Sequence, residues 1–249
     1  MRLIGKSPSS YYLTDPISLM IPFRKFTLGL SALLALSSLV QAETRALECR
    51  FLALEEAPPA LVNTAGEKNQ VAVKVMRNRI SDPMECYAVD GKLNFFDEKS
   101  GELLTSTAVP AKIKKAIFIF VKGNQGGKTA WKLFPIDNTE DSFPAGGTHV
   151  VNLHADEIRF ILGQTKEVLK PNQSKGFEMP TNRDDFNMAP VAFQFKNSRD
   201  EWVNGKETSY RFLPTSRYLL VAYIDPRSSR PRVKTFKDTI RPRAAAQVR

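Results

Sequence analysis

Leu47, Cys49 and Phe51 alternate with Glu48 and Arg50, and Val71, Val73 and Val75 alternate with Gln70, Ala72 and Lys74. A two-residue period puts all the apolar side chains of an extended segment on one face, so each stretch predicts a half-buried β-strand. Residues 116–121 (Ala-Ile-Phe-Ile-Phe-Val) and 219–224 (Leu-Leu-Val-Ala-Tyr-Ile) are instead continuous apolar runs. They are short and rich in branched and aromatic side chains, which suits central strands rather than helices. Further strands are predicted over 84–88, 92–96, 102–107, 130–135, 148–152, 189–195, 209–212 and 232–236. Turn signals separate them: Asp90-Gly91, Lys99-Ser100-Gly101, residues 124–127, Pro171-Asn172, Asn204-Gly205 and Asp225-Pro226. Residues 158–162 fit a short helix closed by Gly163, but the alternation of Ile158, Phe160 and Leu162 favours a strand that turns at 163–165.

No long amphipathic helical pattern competes with this reading. The expectation is an all-β protein with little helix, built as one large or two tandem antiparallel β-sandwich (Ig-like) domains. At 249 residues the chain has room for either arrangement. The polar stretch 138–147 is the natural divide, giving units at 43–137 and 148–239 and a basic, mobile end at 240–249.

Residues 1–42 read as an export signal. Arg24 and Lys25 precede an apolar stretch from Phe26 to Val40, and Val40-Gln41-Ala42 offers the small residues that a signal peptidase reads. The charge-free run covers 17 positions, short of the roughly 20 needed to span a bilayer, so no membrane span is expected after cleavage. Residues 1–19 do not look like a leader, which makes Met20 a candidate start. The expected location is the periplasm or the extracellular space.

The formal net charge of +10 is unevenly distributed. The leader carries four basic residues against Asp15, and residues 227–249 carry eight against Asp238. The remaining 24 basic and 24 acidic residues balance. A neutral body argues against nucleic acid as a partner, because a nucleic-acid-binding fold carries a basic face. The basic end instead suggests contact with an anionic surface, an envelope polyanion, through Arg230, Arg232, Lys234, Arg241 and Arg243.

Cys49 and Cys86 fall on the apolar phase of their strands, and exported proteins meet an oxidising environment. A disulfide between them is expected. It would close a loop of about 38 residues, worth roughly 3–4 kcal/mol by chain entropy.

Several patterns approach catalytic motifs and miss. Gly123-Asn124-Gln125-Gly126-Gly127-Lys128-Thr129 resembles a phosphate-binding loop, but Lys122 stands where the first glycine is needed and a strand follows in place of a helix. It reads as a hairpin turn. His149 and His154 are five apart, which on one extended strand sends them to opposite faces. Asp184-Asp185 and Glu140-Asp141 are adjacent pairs and diverge for the same reason. No Gly-x-Ser-x-Gly elbow is present. No catalytic, cofactor-binding or metal-ligating set is therefore assigned. Trp202 lies in a polar stretch where an indole could act as a platform for a sugar ring.

Cys49-Arg50-Phe51-Leu52-Ala53-Leu54 precedes an Ala-Pro-Pro loop. Phe134-Pro135-Ile136-Asp137 leads to Phe143-Pro144-Ala145-Gly146-Gly147 and then Val151-Asn152-Leu153. Leu162-Gly163, Leu169-Lys170-Pro171 and residues 217–221 follow. This succession resembles a family of exported bacterial proteins of unknown function that are predicted to be β-sandwiches. The resemblance rests on turns and strand starts, and it implies a fold without supplying an activity.

The functional expectation is an exported, non-catalytic binding or structural protein of the cell envelope, with an envelope polyanion or polysaccharide as partner. A carbohydrate-binding accessory protein and a carboxylate-dependent hydrolase are the alternatives.

Overall fold

The computed structural model describes residues 43–240, apart from Glu67. Every regular element among them is a strand. The expected signal segment, Arg241 and Arg243 lie outside the described residues.

Eight strands form the first sheet: β1 (Thr44–Ala53), β2 (Leu61–Thr64), β3 (Gln70–Val73), β4 (Met84–Val89), β5 (Lys92–Asp97), β6 (Leu103–Ala108), β7 (Lys115–Gln125) and β8 (Lys128–Asp137). The order is β3-β2-β5-β4-β1-β7-β8, with β6 on β5. One face of this sheet curls round a core of its own. Phe51, Phe95, Phe118 and Phe120 meet there, with ring centroids 5.6 Å apart for Phe51–Phe95 and 5.8 Å for Phe51–Phe118. The Thr105 hydroxyl of β6 donates to the Trp131 carbonyl of β8 at 2.7 Å, tying the far ends of the curl together.

Two four-stranded sheets complete the fold. The second has the order β12 (Ser174–Phe177), β9 (Thr148–Asn152), β15 (Ser216–Ile224) and β16 (Pro231–Thr239). The third has β11 (Thr165–Leu169), β10 (Ile158–Leu162), β13 (Met188–Lys196) and β14 (Trp202–Arg211). Leu219, Val221 and Phe236 of the second sheet pack against Leu52, Ile117 and Ile119 on the outer face of the first. Tyr218, Leu220 and Ala222 face the other way, against Phe160, Phe193 and Phe195 of the third. The second sheet is thus a middle layer covered on both faces, which is why residues 219–224 of β15 are an unbroken apolar run and the strand is buried from Ser216 to Tyr223. Residues 116–121 are continuous for the same reason, Phe118 and Phe120 pointing into the curl and Ile117 and Ile119 into the middle layer.

The described residues fall within one unit. The apolar layer between first and middle sheets draws on both sides of residues 137–147, and Phe143 within that stretch is fully buried. A buried ion cluster spans the same layer. Arg50 of β1 donates from both terminal nitrogens to the Asp238 carboxylate of β16, at 2.7 and 2.8 Å. Arg217 of β15 donates to the same carboxylate at 3.0 Å and to the Phe143 carbonyl at 2.5 Å.

The structure departs from the sequence reading in two places. The sheets are not purely antiparallel: β1 pairs with β7, and β9 with β15, in parallel. Asn204-Gly205 is not a turn but lies within β14, where Gly205 is the extra residue of a bulge facing Phe193/Gln194. A Cβ at Gly205 would fall onto the Phe195 ring, so this glycine makes room for packing instead of turning the chain. Cys49 and Cys86, the pair expected to be bridged, are both buried, unbridged here, and lie on adjacent strands. The register sets Leu47 opposite Cys86 and Cys49 opposite Met84, so the cysteines are diagonal neighbours and not a facing pair. The expected turns at Asp90-Gly91 and at Gly126-Gly127 are hairpins whose two central residues all have positive φ: 49° and 72°, then 59° and 79°.

Candidate functional site

The two parallel pairings have a geometric consequence: each brings the carboxyl ends of its two strands together. Leu54 to Glu56 follow β1, Val121 to Asn124 end β7, Leu153 follows β9, and Tyr223 to Pro226 end β15 and enter its turn. These segments enclose a cavity of about 430 Å³. Its apolar lining comes from Leu54, Val121, Leu153, Tyr223, Ile224 and Pro226. This size falls within the range of small-molecule sites, roughly 300–1,000 Å³.

Glu55 and Tyr223 form a wall shared with a second hollow, of about 570 Å³. It is polar and lined by four cations, Arg77, Arg227, Arg232 and Lys234, against two carboxylates, Glu55 and Asp225. Both carboxylates are engaged. Glu55 accepts from the Tyr223 hydroxyl at 2.5 Å and lies 3.6 Å from the Lys234 ammonium, which also donates to the Leu54 carbonyl. Asp225 accepts from the Arg227 amide at 3.0 Å and the Ser228 hydroxyl at 2.8 Å, and pairs with Arg232 at 2.9 Å. The Arg227 amide, the Ser228 hydroxyl and the Arg232 charge outweigh desolvation and hold Asp225 below the ordinary carboxylate range. Burial, followed by the bond to Glu55, pushes the Tyr223 phenol up.

Arg77 and Arg227 are different. Both are exposed, and neither guanidinium has a hydrogen bond or ion pair among the described residues. Both lie close enough to Glu56 for their charges to help lower its pKa, after the larger effect of the Lys122 hydrogen bond at 2.6 Å.

Of the residues singled out from sequence, Arg232 and Lys234 stand in this cleft, two apart on β16 and so on one face. Arg230 is exposed in the turn before them, where its carbonyl accepts from the Asp225 amide. Trp202 belongs to the third sheet. The Arg159 guanidinium lies 4.4 Å over its ring and Lys196 5.5 Å from it, so cations occupy the indole. Cys49 and Cys86 sit in the core of the curled sheet. Hydrogen bonding to Cys86, then burial, pushes the Cys49 thiol well above its usual range.

The two histidines do not converge. His149 Nδ1 contacts the Ser142 carbonyl at 2.8 Å, and burial pushes its pKa down, while its Nε2 has no partner among the described residues. His154 Nδ1 accepts from the Asp156 amide at 2.9 Å, and its ring rests on Phe195. No group of three or more His, Cys, Asp or Glu among the described residues is placed to hold a metal ion.

Sequence reasoning missed Arg77, Glu55 and Tyr223 as site residues. Glu55 and Arg77 lie in the segments after β1 and β3 and Tyr223 near the end of β15, and only the stacking of the first sheet on the middle one brings them together.

The fold and this cleft define an all-β protein with a mixed apolar and basic hollow at its strand ends. No protein-family model matches the chain, and no curated protein matches it. The resemblance to exported β-sandwich proteins therefore stands on the turn and strand-start phrases alone.

Proposed function

We propose that the chain is an exported, non-catalytic binding protein of the cell envelope that engages an anionic envelope component through the strand-end cleft. The observation that carries this reading is the excess of cations there, with Arg77 and Arg227 unpaired beside an apolar cavity. Arg232 and Lys234, read from sequence as anionic-surface contacts, belong to the same hollow. The carboxylates support binding over acid–base catalysis: Glu55 and Asp225 are committed to Tyr223, Lys234 and Arg232, and Asp225 is held in its ionised form.

Co-sedimentation with envelope fractions across a salt series tests the proposal. Full-length protein should sediment at low salt and be released as salt rises, since such attraction is screened over roughly 8 Å at physiological ionic strength. The double variant Arg77→Ser, Arg227→Ser should remain soluble at low salt. Equal sedimentation of both proteins, indifferent to salt, would overturn the proposal.

Export carries a second expectation for the thiols. Cys49 and Cys86 are buried diagonal neighbours on adjacent strands, and we propose that they become bridged in an oxidising compartment. Alkylation of denatured, unreduced native protein should find almost no free thiol. Two labelled cysteines per chain would show the bridge to be absent.

A further inference from the structure

The geometry points to a single-chain amphiphile with an anionic head as the ligand of the strand-end site, its hydrocarbon chain in the apolar cavity and its head between Arg77 and Arg227. This rests on the binding role proposed above for the same cleft, and it adds the chemical class of the ligand.

Two observations select that class, and each excludes an alternative. The apolar part of the cavity wall comes from Leu54, Val121, Leu153, Ile224 and the Tyr223 ring, while Glu55, Glu56, Lys122 and Asn124 also line it, Glu55 bound to Tyr223 and Glu56 to Lys122. A sugar or polyphosphate set against that apolar part would leave hydroxyls or anionic oxygens facing hydrocarbon, at a cost of several kcal/mol per unpaired group. The cavity therefore suits an apolar moiety. A wholly apolar ligand, however, would leave the basic hollow unanswered. Glu55 and Asp225 are already used by Tyr223, Lys234 and Arg232, so among the described residues Arg77 and Arg227 have no counter-charge beyond Glu56, itself bound to Lys122. A carboxylate or phosphate at the boundary between the hollows would meet both guanidiniums while its chain entered the cavity. The shared wall, Glu55 and Tyr223, makes head and tail sites contiguous.

Gly123 supplies a clean means of closing the cavity. It lies on the cavity-facing phase of β7, and a Cβ built there meets only the Ala130 carbonyl, at 3.8 Å. Gly123→Phe therefore fills the cavity without straining the backbone or touching the cations.

The test is calorimetric titration of the full chain with monomeric alkanoates from hexanoate to dodecanoate, with the matching alkyl phosphates and alkanols as separate arms. Affinity should rise about fourfold per added methylene and then level off once the cavity is full. Alkanols should bind about tenfold more weakly than anions of equal length. Comparing the carboxylate and phosphate arms then identifies the preferred head. Gly123→Phe should abolish the dependence on chain length. Arg77→Ser with Arg227→Ser should reduce alkanoate affinity to that of the alkanol. Thermal melts matching the wild type establish that the variants are folded, and the two arginines are exposed, so their loss does not open a core.

Absence of binding in every arm, equal binding of alkanol and alkanoate, or an unchanged length dependence in Gly123→Phe would each overturn the assignment. The envelope reading fails separately. Amphiphile binding without salt-sensitive sedimentation would remove the envelope role and leave this site standing, whereas sedimentation without amphiphile binding would do the reverse.

Discussion

Asp238 shows how much a single side chain can hold in this fold. Burial favours its neutral form, but hydrogen bonds from Arg50 and the charges of Arg50 and Arg217 win, and its carboxyl is held below the usual range. A carboxylate whose folded pKa is depressed stabilises the fold above its unfolded value, near 3.9, and that stability is lost as pH falls through the folded pKa. Asp238→Asn leaves two buried guanidiniums without their shared anion and should cost about 3–5 kcal/mol in urea denaturation at neutral pH. It should also flatten the stability profile below about pH 4. A loss under 1 kcal/mol would mean that the cluster is incidental. His149 adds a step at higher pH. Its folded pKa is depressed by burial, so the unfolded chain takes up the proton first and stability declines as pH drops below about 6.5. His149→Gln should remove that decline when midpoints are compared between about pH 7 and pH 5.5. At Gly205, the smallest change is informative: Gly205→Ala should destabilise markedly through Phe195, where a turn glycine at the same place would have tolerated it or failed by its φ alone.

At the scale of strands, the middle layer sets the energetics. Leu219 is fully buried between sheets, and Leu219→Ala should cost about 2–5 kcal/mol in equilibrium unfolding. Val203→Thr, on the open side of β14, should stay within about 0.5 kcal/mol. Equal effects would contradict the three-layer packing. Much of this level was legible from residues alone. Alternation located β1, β3 and β10, the Asp90-Gly91 dipeptide located a hairpin, and the runs 116–121 and 219–224 marked strands covered on both faces. What escaped was pairing. An apolar run reads the same whether its neighbour is parallel or antiparallel, so the β1/β7 and β9/β15 pairs carried no local signal. The first half of β14 was hidden, although 209–212 was read as a strand, because only tertiary contact, the Phe195 ring, explains its Asn204-Gly205.

For the whole molecule, the candidate site follows from those unreadable pairings. Arg232 and Lys234 were visible as basic residues at a spacing of two, yet Glu55 and Arg77 lie more than 150 residues away in sequence, and these two and Tyr223 are joined to them only by the stacking of two sheets. The cleft is thus a product of assembly, with apolar walls from strand ends and charge from the β15–β16 turn and the segment after β3. Trp202 offers the rival surface, on the third sheet, where Arg159 and Lys196 already lie against the indole. Backbone amide shifts of isotope-labelled protein, recorded while monomeric decanoate is added, separate the two directly. The account predicts perturbations confined to residues 54–56, 77–78, 121–124, 153, 223–225, 227–228, 232 and 234, saturating together, with those at 121–124 and 153 lost in Gly123→Phe. Shifts centred on Trp202 and the open face of β13 and β14, or spread evenly over the surface, would contradict it.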